Sequence, residues 1–415
     1  MEAALKEEDY PGISSLNQGY KPSVLVDGTE YGMCFLEEKG KFTLGDSQEE
    51  RNTISTLEWN TRYIDVPEKD CFPGTKRALL HIHDGDPKDA DVTVFLNVGF
   101  GGNPLQFKKL MEETLYALYD KGFSRPQIYA PLTMGMGMPG YCNKDLGISG
   151  IRLNDKQEDH GDIIEEIIKT DQPGGQFYFI GHSAGEQIGL GGIERILEGS
   201  GDVREQLWGI LNINGVKQIP WEWLSSPKTV QRVLPYLTDV LKQTAQGRGC
   251  IDLREDQMKP LFFDDTIEPE RLRGFSRFSL PDSGAMFGGD FALPWEMDPV
   301  REGGKYPVPQ MIWRTLIEQR PKPRKLDELA EKHGGKLNSL ARQIRIVTSK
   351  DGLLGGKGRA RTQNKLRAKA GLKPEGIKVV HGTDAWHCLP VSRWNMALES
   401  DMRLTLRSFF PEKKS

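Results

Sequence analysis

The chain reads as an α/β protein built on a mostly parallel sheet covered by helices on both faces. Three observations carry this reading. Short apolar runs alternate with stretches of helical period from about residue 57 to 215. One run, DVTVFLNV at 91–98, is apolar almost throughout, as a strand buried on both faces must be. After a long interval without strand pattern, two further strand runs and a closing helix follow.

Residues 1–56 mix Gly, Lys and Glu with little periodicity and read as an N-terminal arm or a set of edge hairpins. LEWNTRYIDVP (57–67) and KRALLHIHD (76–84) alternate as strands do. After the 91–98 run and the turn cluster GFGGNP, LQFKKLMEETLYALYDKG (105–122) spaces Phe107, Leu110, Met111, Leu115 and Leu118 as one helix face. Gly122 supplies the stop. PQIYAPL (126–132) is a strand, DIIEEIIK (162–169) an amphipathic helix and QFYFI (176–180) a strand. EQIGLGGIERILEG (186–199) reads as a helix in spite of its glycines, and LWGILNING (207–215) as a strand. Residues 216–340 hold Pro- and aromatic-rich loops and charged helices. QIRIVTS (343–349), GIKVVHG (376–382) and a helix over 392–410 then resume the pattern. The organisation expected is an arm (1–56), the first part of the core (57–215), an inserted cap (216–340) and the second part of the core (341–415).

The bulk composition excludes several function classes. With 415 residues, 46 Gly and 25 Pro, the chain is loop-rich and larger than one minimal core needs. A net charge of -4 with the signs interspersed lacks the basic footprint of a nucleic-acid binder. No apolar stretch reaches the about 18 residues that a membrane span requires. The five cysteines, Cys34, Cys71, Cys142, Cys250 and Cys388, form no CxxC, so reduced thiols and no metal site are expected. The acidic opening MEAALKEEDYPG shows no apolar h-region, so a cytoplasmic protein is the expectation, and no cofactor is expected. The composition leaves homo-oligomerisation open.

Chemistry concentrates at Gly181-His182-Ser183-Ala184-Gly185. This G-x-S-x-G lies directly after an apolar strand and directly before a helix, the setting in which a tight turn lifts a serine hydroxyl above the sheet edge. A serine needs a base, and the base needs an orienting group. Asp351 follows QIRIVTSK at the carboxyl end of its strand, and His387 lies in TDAWHCLP after IKVVHG. Asp384 is too near His387 in the chain to orient it well. His381 ends a strand, His81 and His83 alternate on an early one, His182 packs in the turn, and His160 reads as surface. For a developing oxyanion, the amide of Ala184 is one donor, and that of Phe100 in Asn97-Val98-Gly99-Phe100-Gly101-Gly102-Asn103 is the candidate second.

These features resemble the α/β-hydrolase superfamily over roughly residues 75–215 and 340–410. The resemblance leaves the arm and the helical and loop-rich cap between late strands outside it, and implies a nucleophile–acid–histidine order met by Ser183, Asp351 and His387. Many relatives carry His-Gly before the oxyanion residue, where this chain has Val98-Gly99. Serine at the turn implies cleavage of an ester, thioester, amide or carbon–carbon bond. The first expectation is a carboxylesterase acting on a small or medium apolar acyl substrate. A peptidase, carbon–carbon hydrolase, thioesterase or acyltransferase on the same residues stands as the alternative, and a non-catalytic binding protein of this fold as a third. Met134, Met136, Trp221, Trp295 and Trp386 are the candidate substrate-pocket residues. The basic stretch 357–373 reads as a solvated helix face.

Overall fold

The computed structural model describes residues 21–26, 29–34, 38–42, 57–69, 76–134, 136, 151, 153–215, 250–251, 259, 262–263, 267, 269, 272, 282–283, 324–349, 356–381, 387–389 and 396–413. Nine strands form one sheet. In chain order they are β3 (Glu38–Phe42), β4 (Leu57–Asp65), β5 (Lys76–His83), β6 (Val92–Asn97), β7 (Pro126–Pro131), β8 (Gln176–His182), β9 (Leu207–Ile213), β12 (Arg342–Thr348) and β13 (Gly376–Val380). Two small antiparallel pairs stand apart: β1 (Lys21–Val26) with β2 (Thr29–Cys34), and β10 (Cys250–Ile251) with β11 (Asp282–Ser283). The helices are α1 (Lys108–Asp120), α2 (Leu153–Asp171), α3 (Gly185–Glu198), α4 (Gly201–Glu205), α5 (Arg324–Ser339), α6 (Gly356–Lys369) and α7 (Met396–Phe409).

The spatial order of the sheet is β13-β12-β9-β8-β6-β7-β5-β4-β3. The run from β13 to β7 is parallel, and β5, β4 and β3 join it antiparallel. This is the mostly parallel sheet, covered on both faces, expected from the sequence. Chain order reverses at β6, which lies between β7 and β8. Such a switch point opens a crevice at the carboxyl ends of its strands, where open α/β sheets bind ligands.

Alternation along the central strands covers both faces. Val92, Val94, Leu96, Tyr178 and Ile180 pack with α1 and α7 through Leu110, Leu115, Leu398, Met402 and Phe409. Phe95, Phe177 and Phe179 face the other way, onto α2, α3 and α5 through Ile163, Ile167, Ile193, Ile196, Leu326 and Leu329. Helix α5 thus begins inside the stretch expected to be cap, yet packs as a crossover helix of the core.

Helix α2 starts nine residues before the expected DIIEEIIK because its first turns bury polar groups. Asp159 pairs with Arg77 at 2.8 Å and accepts the Met134 amide at 2.6 Å, and Lys156 donates to the Met134 carbonyl at 3.3 Å. Apolar periodicity cannot register a face held by ion pairs. His160, expected at the surface, is fully buried in the same turns, and its Nδ1 accepts the Gly192 amide at 3.1 Å. Desolvation pushes its pKa down to about 3. Two glycines of α3, Gly191 and Gly192, are there for contact with α2: a Cβ on Gly191 would lie 1.7 Å from the Gln157 carbonyl oxygen.

Candidate functional site

The turn after β8 is built as a sharp, strained elbow. Ser183 has φ +53, a left-handed value that a serine adopts only when its surroundings impose it. Its amide extends the β8–β9 ladder to the Ile213 carbonyl at 3.1 Å, and its carbonyl accepts from Glu186 at 3.1 Å as α3 begins. A Cβ on Gly185 would lie 2.2 Å from the Asn97 carbonyl, so this position must be glycine for the elbow to approach β6. The amides of Glu186, Gln187 and Ile188 are bonded within the new helix. The amide of Ala184 precedes them, among the donors that a helix start leaves without an intrahelical partner. Ala184 itself is buried against the turn.

The loop after β6 meets the elbow from the side. Gly99 is the point of contact: a Cβ there would stand 2.7 Å from Ser183 Cβ and 3.2 Å from Ser183 Oγ. The loop closes through a Gly102 amide to Gly99 carbonyl bond of 3.0 Å, with Gly101 at φ +64. Phe100 sits half-buried at its tip. The two Gly-rich segments singled out in the sequence thus converge at the switch point of the sheet.

His387 comes to the same place from 204 residues further along the chain, its Nε2 2.7 Å from Ser183 Oγ. A serine hydroxyl that donates to Nε2 requires the ring tautomer with its hydrogen on Nδ1. The ring is buried and stacks on Phe262 with centroids 5.5 Å apart and planes 28° apart. Phe262 belongs to the stretch 216–340, and its carbonyl accepts the Cys388 amide at 3.4 Å. A segment of the expected cap therefore touches the histidine. No residue of that stretch was a candidate for this contact, because Phe262 carries no motif.

Two further residues escaped the sequence reading in their present role. The His387 carbonyl accepts from His182 Nε2 at 2.9 Å and from Asn214 Nδ2 at 3.0 Å. Asn214 Nδ2 also donates to Thr348 Oγ1 at 2.7 Å, and its Oδ1 accepts the Thr348 amide at 2.9 Å. Behind the elbow, Arg345 of β12 lies fully buried and bonds Glu186 at 2.9 Å and Glu375 at 2.7 Å. Burial would lower the pKa of its guanidinium, but the two carboxylates outweigh it and hold the group above its ordinary value.

Of the other candidates, Asp351, Trp221, Trp295 and Trp386 lie outside the described residues, as does Asp384. Met134 and Met136 are both buried, Met136 within the hydrophobic cluster under α1. His81 is buried between His83 and Tyr129, bonded to Gln127 at 3.0 Å. His381 is exposed just after β13. The basic stretch forms α6, with Lys357, Arg361, Lys365 and Lys369 exposed, while Arg367 turns inward to Glu375 at 3.3 Å. Among the described residues no cluster of His, Cys, Asp or Glu is arranged to hold a metal ion, and no helix is long and apolar enough to cross a membrane.

No protein-family model and no curated protein sequence matches the chain. Solved structures similar to it include a thermophilic esterase from Thermogutta terrifontis with malate bound. Its TM-score is 0.44 at 13% identity, covering 84% of this chain and 97% of that one. The carboxylesterase CesB of Bacillus subtilis has a TM-score of 0.42 at 12% identity, covering 84% and 91%. A carboxylesterase of the thaumarchaeon Nitrososphaera gargenis has 0.43 at 14%, covering 80% and 92%. The strand order of the sheet, rather than these likenesses, carries the assignment of the fold.

Proposed function

We propose that this protein is a serine hydrolase of the α/β-hydrolase superfamily that cleaves carboxylic esters through an acyl-enzyme. The observation that carries the proposal is the 2.7 Å bond from Ser183 Oγ to His387 Nε2, made at a strained elbow at the switch point of the sheet. Strain at a nucleophile is tolerated where it aims the reactive atom.

In this reading His387 accepts the Ser183 proton as Oγ attacks the ester carbonyl carbon. The Ala184 and Phe100 amides hold the oxyanion that forms. Collapse expels the alcohol, which takes the proton back from His387. Water, deprotonated by the same imidazole, attacks the acyl-enzyme, and the carboxylic acid leaves with Ser183 restored. Asp351 orients the imidazole from Nδ1 and stabilises its charged form. It follows Thr348 by three residues, and three residues span at most about 10 Å. Thr348 is tied through Asn214 to His387 itself, so an acid on this loop is within reach.

The stretch 216–323, ahead of α5, acts as a cap, with Phe262 shielding the base and an apolar pocket completed by Met134, Met136, Trp221, Trp295 and Trp386. The substrate is a small molecule with a small or medium apolar acyl group. In this reading no cofactor enters the cycle, and scattered cysteines without a CxxC support a cytoplasmic protein.

The test is labelling by a fluorophosphonate probe together with turnover of p-nitrophenyl butyrate. Wild type is expected to label and turn over, and Ser183→Ala to do neither. Equal labelling of both would remove Ser183 as nucleophile. Asp351→Asn is expected to lower kcat by about 10⁴-fold in a folded protein. Robust labelling with hydrolysis of aminoacyl amides or thioesters, but of no oxygen ester, would transfer the same residues to the alternative chemistries.

A further inference from the structure

We propose that His182 and Asn214 are positioning residues that grip the backbone carbonyl of His387 and so hold its imidazole on line with Ser183 Oγ. The inference deepens the proposed function and rests on His387 being the base.

His387 stands on no strand or helix, yet its Nε2 must stay within hydrogen-bond reach of one oxygen. A side-chain rotamer fixes the ring relative to its own backbone and nothing more. The backbone itself needs an anchor, and the structure supplies one at the carbonyl. A carbonyl oxygen has two lone pairs. His182 Nε2 at 2.9 Å and Asn214 Nδ2 at 3.0 Å occupy them. Because the carbonyl only accepts, His182 must carry its hydrogen on Nε2.

Both donors stand at the ends of adjacent central strands. His182 is the last residue of β8, and Asn214 follows β9, its neighbour in the ladder, where His182 pairs with Ile213. His182 also directly precedes the nucleophile. The distance from nucleophile to base is thereby set through one peptide unit of the elbow, with Phe107 packed edge-on against the His182 ring at 5.3 Å. Asn214 adds the third member. It takes a left-handed φ of +43, which asparagine accepts more readily than most residues. From there it bonds both the hydroxyl and the amide of Thr348, at the end of the strand that leads to Asp351. Nucleophile, base and the root of the acid loop share one hydrogen-bonded frame.

The test separates the donor from mere bulk. His182→Phe keeps a ring and removes the donor, whereas His182→Gln retains an N–H. Asn214→Asp keeps the shape and the bond from the Thr348 amide but has no hydrogen for the His387 carbonyl. A misplacement of about 1 Å costs on the order of 100-fold in rate. The expected result with p-nitrophenyl butyrate is a kcat about 10–100-fold lower in His182→Phe and Asn214→Asp, with KM within about 3-fold and fluorophosphonate labelling slowed in parallel. His182→Gln is expected to recover to within about 5-fold of wild type. Circular dichroism and thermal melts establish that each variant is folded; should His182→Phe not fold, Asn214→Asp carries the test alone. Folded His182→Phe or Asn214→Asp at wild-type kcat would overturn the proposal, and so would His182→Gln performing no better than a folded His182→Phe. Ser183→Ala run alongside keeps the two readings apart: if it still labels, the proposed function falls, whereas a silent Ser183→Ala beside fully active clamp variants sinks the clamp alone.

Discussion

Replacing Gly99 by alanine probes the site through one methyl group. The added Cβ would stand 2.7 Å from Ser183 Cβ, 3.0 Å from the His182 carbonyl oxygen and 3.2 Å from Ser183 Oγ, whereas ordinary Cβ contacts begin at 3.4 Å. The neighbours are the nucleophile and backbone at the end of a central strand, so neither yields by swinging a flexible side chain. Relief of the shortest contact requires the loop and the elbow to separate by about 0.7 Å, close to the about 1 Å displacement that costs on the order of 100-fold in rate. Overpacking of this kind also destabilises by about 1–3 kcal/mol. Gly99→Ala is therefore expected to fold with a lowered melting temperature and to lose about 100-fold in kcat/KM for p-nitrophenyl butyrate, with fluorophosphonate labelling slowed alike. Titration of labelled protein separates a slow site from a fraction of inactive molecules. A folded Gly99→Ala that labels within about 3-fold of wild type would refute the reasoning, since the loop would then not abut the nucleophile as described.

Other outcomes follow from the same structure. Arg345→Met leaves Glu186 and Glu375 buried without their shared cation, and is expected to cost about 3–5 kcal/mol in urea unfolding. Gly334→Ala meets nothing within 4 Å in α5, and is expected to stabilise by up to about 1 kcal/mol with activity unchanged. His160 is neutral in the folded protein down to about pH 3, while in the unfolded chain it takes up a proton below about 6.5. The unfolded state binds the extra proton in that window, so stability is fully present above about pH 6.5 and falls as pH drops towards 3, by about 1.4 kcal/mol per unit from this residue. Unfolding measured at pH 7 and pH 5 should therefore show a smaller loss in His160→Gln than in wild type; equal losses would remove His160 as a source of acid sensitivity.

Much of the scaffold was legible in the sequence because it is written in periodicity. The runs at 92–97 and 176–182 are apolar on both alternating faces since helices cover both sides of those strands. The elbow was legible because a strained turn demands small residues at fixed offsets from the serine. Helix α2 was only half legible: Lys156, Gln157, Asp159 and His160 are buried by pairing rather than by apolarity, and a polar residue read alone looks solvated. The role of α5 in the core was hidden for a similar reason, its apolar residues being spaced among charges that made the helix look peripheral.

By itself, then, the sequence determined the class of the fold and the strand–turn–helix setting of Ser183, since both depend on residues close together in the chain. Only the tertiary structure decided what gathers around that serine. His387 meets Ser183 across 204 residues, and its carbonyl is held by His182 and Asn214, a role that no motif marks. Phe262 reaches the imidazole from within the inserted stretch. Local propensity determines where a strand turns into a helix. Which side chains converge at the end of the sheet depends on the order in which the strands lie, and that order is a property of the folded chain.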